Sequence, residues 1–368
     1  MAVRGFAGWG NDLYTGRRSY KVVPRIKLWV AVAAGVVVVC GLLLFKPGLS
    51  LGMEFVGGTE FKVSGTQNRE QAPASDAVRG ILGQGEAPKV SAVAAGGVRV
   101  QTGRLTDEQA VAVRQALADT YDVPLENVSR QTVSASWGSD VSGKALRGSI
   151  IFLVLVAIAM VLYFRNWAMA VSAITALLHD LVVTVGVYAL VGFEVTPASL
   201  IGFLTVLGYS MYDTVVVFDK VRENTQGVTD QTQYTYAEAA NLAVNQTMVR
   251  SINTSVVALL PVAAILFIGW IALGPSSLQD ISLALFVGMI AGTYSSIFLA
   301  TPLEVALRAR NPKLAAHTAL VLKKRAAAVA AGASTGAGLA ALSGIGAMRA
   351  GEHRGQMAQP RRKPRAGR

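Results

Sequence analysis

Long apolar runs alternate with shorter polar stretches along this chain. Six runs approach the length of about 20 residues that a helix needs to cross a bilayer. They cover residues 28–45, 146–164, 168–191, 197–218, 248–270 and 278–302. The pattern predicts a polytopic α-helical membrane protein, in which residues 146–302 form a five-helix membrane domain after the first crossing.

The only large polar region, residues 46–145, separates the first two runs. Its local patterns predict strands at 59–63, 89–94, 98–102 and 127–136, with helices at 69–82 and 106–121. Thr106 and Gln109 have the spacing of a capping box for the second helix. The order β-α-β-β-α-β is typical of a ferredoxin-like domain, so we predict one α+β domain here.

Composition and charge predict the orientation of the chain in the membrane. The chain is 52% hydrophobic and 15% charged, yet its net charge is +12, with basic residues concentrated in residues 1–27 and 303–368. The positive-inside rule therefore predicts that both ends are cytoplasmic and that the α+β domain is external. The segment after 303 is rich in Ala and Gly and is predicted to be a flexible tail.

The basic ends also raise the question of their partners. They lack interleaved aromatic residues and any recognisable nucleic-acid module, so the headgroups of the lipid bilayer or a ribosome are the expected anionic neighbours, and a nucleic-acid-binding role is not expected. The first run is longer than a signal-peptide core and has no small-residue cleavage pattern, which favours a retained anchor. The single cysteine, Cys40, excludes an internal disulfide framework.

Four ionisable residues inside the apolar runs cannot easily reach an interface, and each costs about 2.5–3.5 kcal/mol at a helix centre. Asp213 and Arg250 are at comparable depth on antiparallel crossings, so we predict that they pair. The pair either relays protons or only holds two helices together. His179 and Asp180 are adjacent and project about 100° apart on a helix, so a relay role and a structural role both stay open.

Glycines recur in the later runs, and these positions are predicted to let helices approach closely or to act as hinges. They are Gly202 and Gly208 in the fourth run, and Gly288 and Gly292, which form a GxxxG motif, in the sixth. The hydroxyl-rich stretch 293–296 follows and offers its side chains either to a neighbouring helix or to a water path.

No enzyme constellation is evident. The sequence contains no P-loop and no metal-ligand spacing, and His179, His317 and His353 are scattered. We therefore expect no enzymatic activity and no cofactor. The membrane potential, at about 2.3 kcal/mol per charge per 100 mV, is the available energy source. The expected coupling ion is H⁺, with Na⁺ as an alternative because a carboxylate serves either.

Five ordered stretches together resemble the SecD/SecF family of bacterial protein-export membrane proteins, on its SecF side and within the RND-like superfamily. They are LGMEFVGGTEF from Leu51, ALLHDLVVTVGVYAL from Ala176, LTVLGYSMYDTVVVFDKVREN from Leu204, VNQTMVRSINTS from Val244 and VGMIAGTYSSIFLATP from Val287. The resemblance runs from about residue 26 to residue 307 and includes the topology of one crossing, an external domain and five further crossings.

This resemblance implies a multi-pass protein of the bacterial cell membrane that pairs with SecD and associates with the SecYEG channel and often with YajC. Together they use the proton gradient to draw preproteins outward after SecA has driven them in. Asp213 and Arg250 match the family's transport-site residues, and His179 and Asp180 match its His-Asp pair.

The resemblance is incomplete in two places. The family's motif after the first crossing reads Asp-Phe-x-Gly-Gly, whereas this chain has Glu54 before Phe55, Gly57 and Gly58, which brings any tight contact of the acid into question. The tail after 303 lies outside the shared pattern. Two other functions remain open: a passive assembly factor of the Sec translocon, and one half of an RND-type exporter of lipids or drugs.

Overall fold

The computed structural model describes residues 6–66, 68–83, 88–93, 96–272 and 277–330. Within them the helices are α1 (Phe6–Tyr14), α2 (Ile26–Leu43), α3 (Met53–Val56), α4 (Gln71–Leu82), α5 (Asp107–Thr120), α6 (Ala135–Phe164), α7 (Trp167–Val191), α8 (Pro197–Thr225), α9 (Tyr236–Ala272), α10 (Ser277–Tyr294), α11 (Thr301–Arg308) and α12 (Pro312–Ala330). The strands are β1 (Ser50–Leu51), β2 (Gly58–Ser64), β3 (Lys89–Val93), β4 (Gly97–Thr102), β5 (Val128–Val133) and β6 (Glu194–Val195).

Within the described ranges, six helical segments are long and apolar enough to cross a membrane, which confirms a polytopic helical membrane protein. Several helices continue beyond the apolar runs that predicted them. α6 begins at Ala135 rather than at 146, α8 extends to Thr225, and α9 begins at Tyr236. An apolar run predicts only the part of a helix that lies in the hydrocarbon core of a bilayer. The helix is longer, because its backbone hydrogen bonds continue into polar sequence.

Residues 58–133 form a four-stranded sheet with two helices. The strand order is β3-β4-β2-β5, and every neighbouring pair is antiparallel. The pairing of Phe61 with Val100 places both side chains on one face of the sheet, where they are fully buried with Val113 and Leu117 of α5. The apolar residues on alternate strand positions therefore face the helices, as their period of two requires.

The ends of this domain are fixed by capping. Thr106 and Gln109 form the predicted capping box: the Gln109 amide donates to Thr106 Oγ1 at 3.2 Å, and the Thr106 amide donates to Gln109 Oε1 at 3.0 Å. The last strand was predicted to reach residue 136, which is wrong. It ends at Val133, because Ser134 accepts the Trp137 amide at 3.2 Å and begins α6.

The chain divides into two compact units. The larger comprises residues 27–215 and 251–300, and therefore holds the sheet together with most of the membrane helices. In this unit β1 pairs in parallel with β6, and Lys89 Nζ lies 2.7 Å from Glu194 Oε1. These contacts attach the sheet domain to the loop between α7 and α8.

The smaller unit comprises residues 1–26, 216–250 and 301–368. In it, Asn245 of α9 is fully buried; its Oδ1 accepts the Tyr20 amide at 2.7 Å and its Nδ2 donates to the Tyr20 carbonyl at 3.0 Å. One turn earlier, Asn241 Oδ1 accepts the Val22 amide at 3.0 Å. The segment before the first crossing is thus held to α9 through its backbone.

The prediction of a flexible tail from residue 303 is wrong for residues 303–308 and 312–330, which lie in α11 and α12. α12 buries His317 and Val321, and Arg325 Nη1 donates to Glu238 Oε1 at 2.7 Å, which raises the pKa of Arg325. This apolar face and this ion pair hold the helix. The rest of the predicted tail, 331–368, lies outside the described residues.

Candidate functional site

One cluster of buried polar residues in the larger unit lies where α7, α8 and the helical turn after α10 meet. Asp180 of α7 and Ser295 of the π-helical turn Ser295–Ala300 are completely buried, and Ser210 of α8 is 1% exposed. All three lie inside segments that are apolar enough to cross a membrane. Because an ionisable side chain is costly at that depth, its partners decide what it can do.

Asp180 is surrounded by hydrogen-bond donors. Its Oδ2 accepts from Ser210 Oγ at 2.5 Å and from Ser295 Oγ at 2.8 Å. Its Oδ1 lies 3.0 Å from His179 Nδ1. The carboxyl group therefore joins three helical segments, and the adjacent His179 and Asp180 contact each other although they project from different sides of α7.

Asp213 of α8 is the second buried carboxyl group in these helices. Its side chain is 6% exposed, and its Oδ1 accepts from Ser251 Oγ at 2.7 Å. Ser251 directly follows Arg250, which is exposed and is the last α9 residue of the smaller unit. The pairing of Asp213 with Arg250 stays a prediction. The serine after the arginine was not singled out from the sequence, although a small hydroxyl residue next to an intramembrane charge is a usable signal.

Hydroxyl groups of residues 293–296 form hydrogen bonds between helices. Ser296 Oγ lies 2.8 Å from Thr214 Oγ1 of α8, one residue after Asp213. Thr293 Oγ1 donates to Ser255 Oγ of α9 at 2.6 Å. Together with the hydrogen bond from Ser295 to Asp180, these contacts join this stretch to α7, α8 and α9.

Three of the four predicted packing glycines lie at close approaches. A Cβ atom on Gly292 would lie 2.8 Å from the Cβ of Ser210, one on Gly288 would lie 2.2 Å from Val206 Cγ1, and one on Gly202 would lie 2.8 Å from the Cβ of Ala284. The α8–α10 contact is thus built on glycine, and Gly292 admits the serine that binds Asp180.

A Cβ atom on Gly208 would meet no described atom within 4 Å, so the role predicted for Gly208 stays a prediction. A close glycine contact that the sequence did not predict occurs instead at Gly186 of α7. A Cβ atom on Gly186 would lie 2.4 Å from the Cβ of Cys40, so α2 approaches α7 at this point.

The motif after the first crossing forms the short helix α3 and the turn behind it. Phe55 is 9% exposed and packs in the same cluster as Tyr188 and Phe203 of the membrane helices. Gly57 has φ 77°, and a Cβ atom on Gly58 would lie 2.6 Å from the Thr102 carbonyl oxygen. Both glycines are therefore required by the backbone. The Glu54 carboxylate lies over Gly52, where a Cβ atom would be 2.6 Å from Oε2.

A polar cluster at the base of the sheet domain was missed by the sequence reasoning. Glu194 accepts from Lys89 and, at 3.4 Å, from Gln101 Nε2, which also donates to Glu60 Oε2 at 3.2 Å. Asp280 of α10 is near, because its Oδ2 accepts from Thr196 Oγ1 at 3.4 Å. A lone Glu in a short loop carried no pattern from which these contacts could be predicted.

A buried acid in the smaller unit was also missed, because residue 304 had been assigned to the flexible tail. Glu304 is completely buried and its Oε1 accepts from Tyr236 Oη at 2.7 Å. Arg308 Nη1 donates to the same Tyr236 oxygen at 3.0 Å. The group joins α9 to α11. In the described part of the chain, no set of three or more His, Cys, Asp or Glu side chains is arranged to hold a metal ion.

Comparisons with known proteins place this chain among protein-export membrane proteins. Residues 112–310 match the family described as "Protein export membrane protein SecD/SecF, C-terminal". The chain is 44% identical to the protein translocase subunit SecF of Streptomyces coelicolor, over 88% of this chain and 86% of that one. It is 33% identical to the protein translocase subunit SecDF of Thermus thermophilus, over 79% of this chain and 38% of that one.

Two solved structures of SecDF have the same arrangement of helices. The crystal structure of the translocon-associated SecDF from Thermus thermophilus matches with a TM-score of 0.68 and 28% identity, over 80% of this chain. A SecDF in a super-membrane-facing form matches with a TM-score of 0.58 and 26% identity, over 82% of this chain. The match covers 39% and 40% of those two chains, so this chain spans about two fifths of their length.

Proposed function

Because this chain belongs to the SecD/SecF family of protein-export membrane proteins, as a SecF-type translocase subunit of the Sec pathway, we propose that it couples the proton motive force to preprotein translocation. The observation that carries the proposal is Asp213. Its carboxyl group is buried in a segment apolar enough to span a membrane, and it is bound by Ser251 of the next crossing.

A buried carboxyl group between two crossings is suited to carry a proton. It is charged or neutral depending on one proton, and its hydroxyl partner can donate to the charged form or accept from the neutral form. Arg250, next to Ser251 in the chain, is the proposed counter-charge that alternates with the proton. H⁺ is the proposed coupling ion, with Na⁺ as the alternative, and no enzymatic step or cofactor is required.

The assembly proposed around this site follows the relatives. A SecDF relative that contains the matched part within a longer chain supports SecD as the direct partner. We extend this to the SecYEG channel, to YajC and SecA, and to preproteins as substrates. The antiparallel strand order β3-β4-β2-β5 supports a ferredoxin-like fold, which we place outside the bacterial cell membrane, with both basic ends in the cytoplasm.

The test replaces Asp213 by Asn, which keeps the shape and removes the titratable group. Membrane vesicles that contain the variant with SecD are loaded with a preprotein arrested in the channel. Completion of its export is then measured with and without an imposed proton gradient. We expect the gradient-dependent part to be lost. Asp219→Asn is the matched control, because it makes the same chemical change on the exposed side of α8 and should leave that part intact.

The same experiment separates the alternatives. If Asp213→Asn lowers only the amount of assembled complex, and the assembled complex still responds to the gradient, the protein is a passive assembly factor. Normal gradient-dependent export in Asp213→Asn would reject the proton role altogether. Purification of an active transporter of lipids or drugs without SecD would favour the exporter half.

A further inference from the structure

The hydrogen bonds around His179 and Asp180 distinguish the two residues that the sequence could only treat as a pair. Each Asp180 oxygen has a partner: Oδ1 faces His179 Nδ1, and Oδ2 accepts from Ser210 and Ser295. The other imidazole nitrogen, His179 Nε2, is buried and has no hydrogen-bond partner among the described residues. The His179 side chain is 6% exposed, so Nε2 is a polar atom buried among the helices.

We propose that the two residues divide the work of a second proton-carrying site: His179 Nε2 takes up and releases the proton, and Asp180 is a positioning residue that holds the imidazole. This rests on the proposed function, because a second proton carrier has a use only in a proton-driven subunit. It assigns to α7 a role that is separate from the Asp213 site on α8.

The assignment of the nitrogens follows from the chemistry of the partners. An ionised carboxylate only accepts hydrogen bonds, so the imidazole nitrogen 3.0 Å from Asp180 Oδ1 carries the hydrogen. In the neutral ring the lone pair is then on Nε2, and a proton that arrives there forms an N–H bond without breaking any existing contact. The resulting imidazolium is balanced by the carboxylate, and dissociation of the Nε2–H proton restores the neutral ring.

Asp180 is fixed in place by groups that do not titrate. The serine hydroxyls of α8 and of the turn after α10 hold Oδ2, so the carboxylate cannot rotate away from His179 without losing both. In the part of the chain that the structure describes, the titratable groups that face the imidazole are Asp180 and the Tyr294 phenol of α10, and the Tyr294 ring centroid is 6.1 Å from that of His179. Tyr294 Oη is directed away, because it donates to the Trp29 carbonyl of α2 at 3.3 Å.

The experiment follows the protonation of His179 directly. The full chain, labelled with ¹⁵N-histidine, is reconstituted with SecD into lipid vesicles, and the imidazole signals are recorded by solid-state NMR between pH 5 and pH 9. The His179 signal is identified by its loss in His179→Gln. His317→Gln is the control, since it removes another buried histidine, in the smaller unit, whose Nε2 lies 2.7 Å from the Gln231 carbonyl oxygen.

We expect Nε2 of His179 to gain and lose a proton within this pH range, while Nδ1 keeps its hydrogen. In Asp180→Asn the titration should disappear from the range, because the buried cation loses its counter-charge, and Asp180→Glu should restore it at least in part. An imidazole that stays neutral from pH 5 to pH 9 in the unmodified chain, or that titrates equally well in Asp180→Asn, would overturn the proposal.

The outcome is independent of the test on Asp213. The pH dependence of gradient-driven export should lose one limb in His179→Gln and keep it in His317→Gln. If His179 does not titrate while Asp213→Asn still abolishes gradient-dependent export, only the division of roles fails. If His179 titrates and Asp213→Asn exports normally, the proposed Asp213 site fails instead.

Discussion

The sheet domain and the membrane helices of the larger unit are both compact, but among the described residues it is the membrane helices that add buried carboxyl groups and several buried serines to their apolar residues. The interior of the sheet domain is aliphatic and aromatic: Phe61, Val98 and Leu117 are completely buried there. In the membrane helices the fully buried positions include Ser172, Asp180, Ser199 and Ser295, while large apolar side chains such as Leu162, 69% exposed, point outward.

The difference reflects the solvent of each region. In water, removing apolar surface contributes about 25 cal/mol per Å², so a sheet and two helices associate by burying aliphatic faces. In a bilayer the lipid is as apolar as leucine, and this driving force is absent between helices. Close contact at glycine and hydrogen bonds between hydroxyls and carboxylates must hold the helices instead. The carboxyl groups of the two proposed proton sites therefore also take part in the hydrogen bonds that hold the membrane helices together.

The largest difference between the two regions is expected when the same residue type is truncated in both. Leu117→Ala empties a completely buried site in the sheet domain and should lower its stability by about 2–5 kcal/mol. Leu162→Ala on α6 removes the same atoms from a largely exposed position and should change stability by no more than about 0.5 kcal/mol. Hydrogen exchange of the full chain in detergent micelles measures both, from the opening free energies of the strand amides and of the α6 amides. Equal losses of stability would mean that burial of apolar side chains stabilises both regions in the same way.

Within the membrane helices, the reverse substitution, from glycine to alanine, should be costly only where two helices are in close contact. Gly292→Ala places a Cβ atom 2.8 Å from that of Ser210 and should destabilise the helices by about 1–3 kcal/mol, because α8 and α10 must separate. Gly208→Ala, on α8, meets nothing within 4 Å and should be neutral or stabilising by up to about 1 kcal/mol from helix propensity. The midpoint of thermal unfolding in detergent measures both changes. A loss in Gly208→Ala as large as that in Gly292→Ala would contradict the glycine contact.

The sequence predicted those features that depend on a fixed spacing between residues close together in the chain. The alternation at Phe61 and Val63, and at Val98 and Val100, predicted strands that the structure contains, and the Thr106–Gln109 spacing predicted a cap that forms. Apolar length alone predicted six crossings. These features depend on neighbours in the chain, so no tertiary information is needed to find them.

Partners far apart in the chain were not predictable in the same way. The depth of Asp180 marked it as unusual, but nothing in the sequence pointed to Ser210 and Ser295 as its donors, 30 and 115 residues away. Gly208 and Gly292 looked alike, and only the packing of α8 on α10 separates them. Helix α12 was mistaken for a tail because alanine gives little apolar signal, although it is the best helix former.

The smallest effect is expected where the two regions meet, since neither driving force is strong there. Lys89, 53% exposed, pairs with Glu194 at 2.7 Å between the sheet domain and the loop before α8. An ion pair this exposed is worth about 0.2–1 kcal/mol and weakens as salt shortens the screening length from about 10 Å at 0.1 M to about 3 Å at 1 M. A double-mutant cycle of Lys89→Met and Glu194→Gln, measured by hydrogen exchange at the β1–β6 amides, should give a coupling in that range at 0.1 M salt and almost none at 1 M. A coupling that exceeds about 2 kcal/mol, or one that salt leaves unchanged, would mean that the pair is shielded from solvent. The contact between the sheet domain and the membrane helices would then be as stable as the contacts within each region.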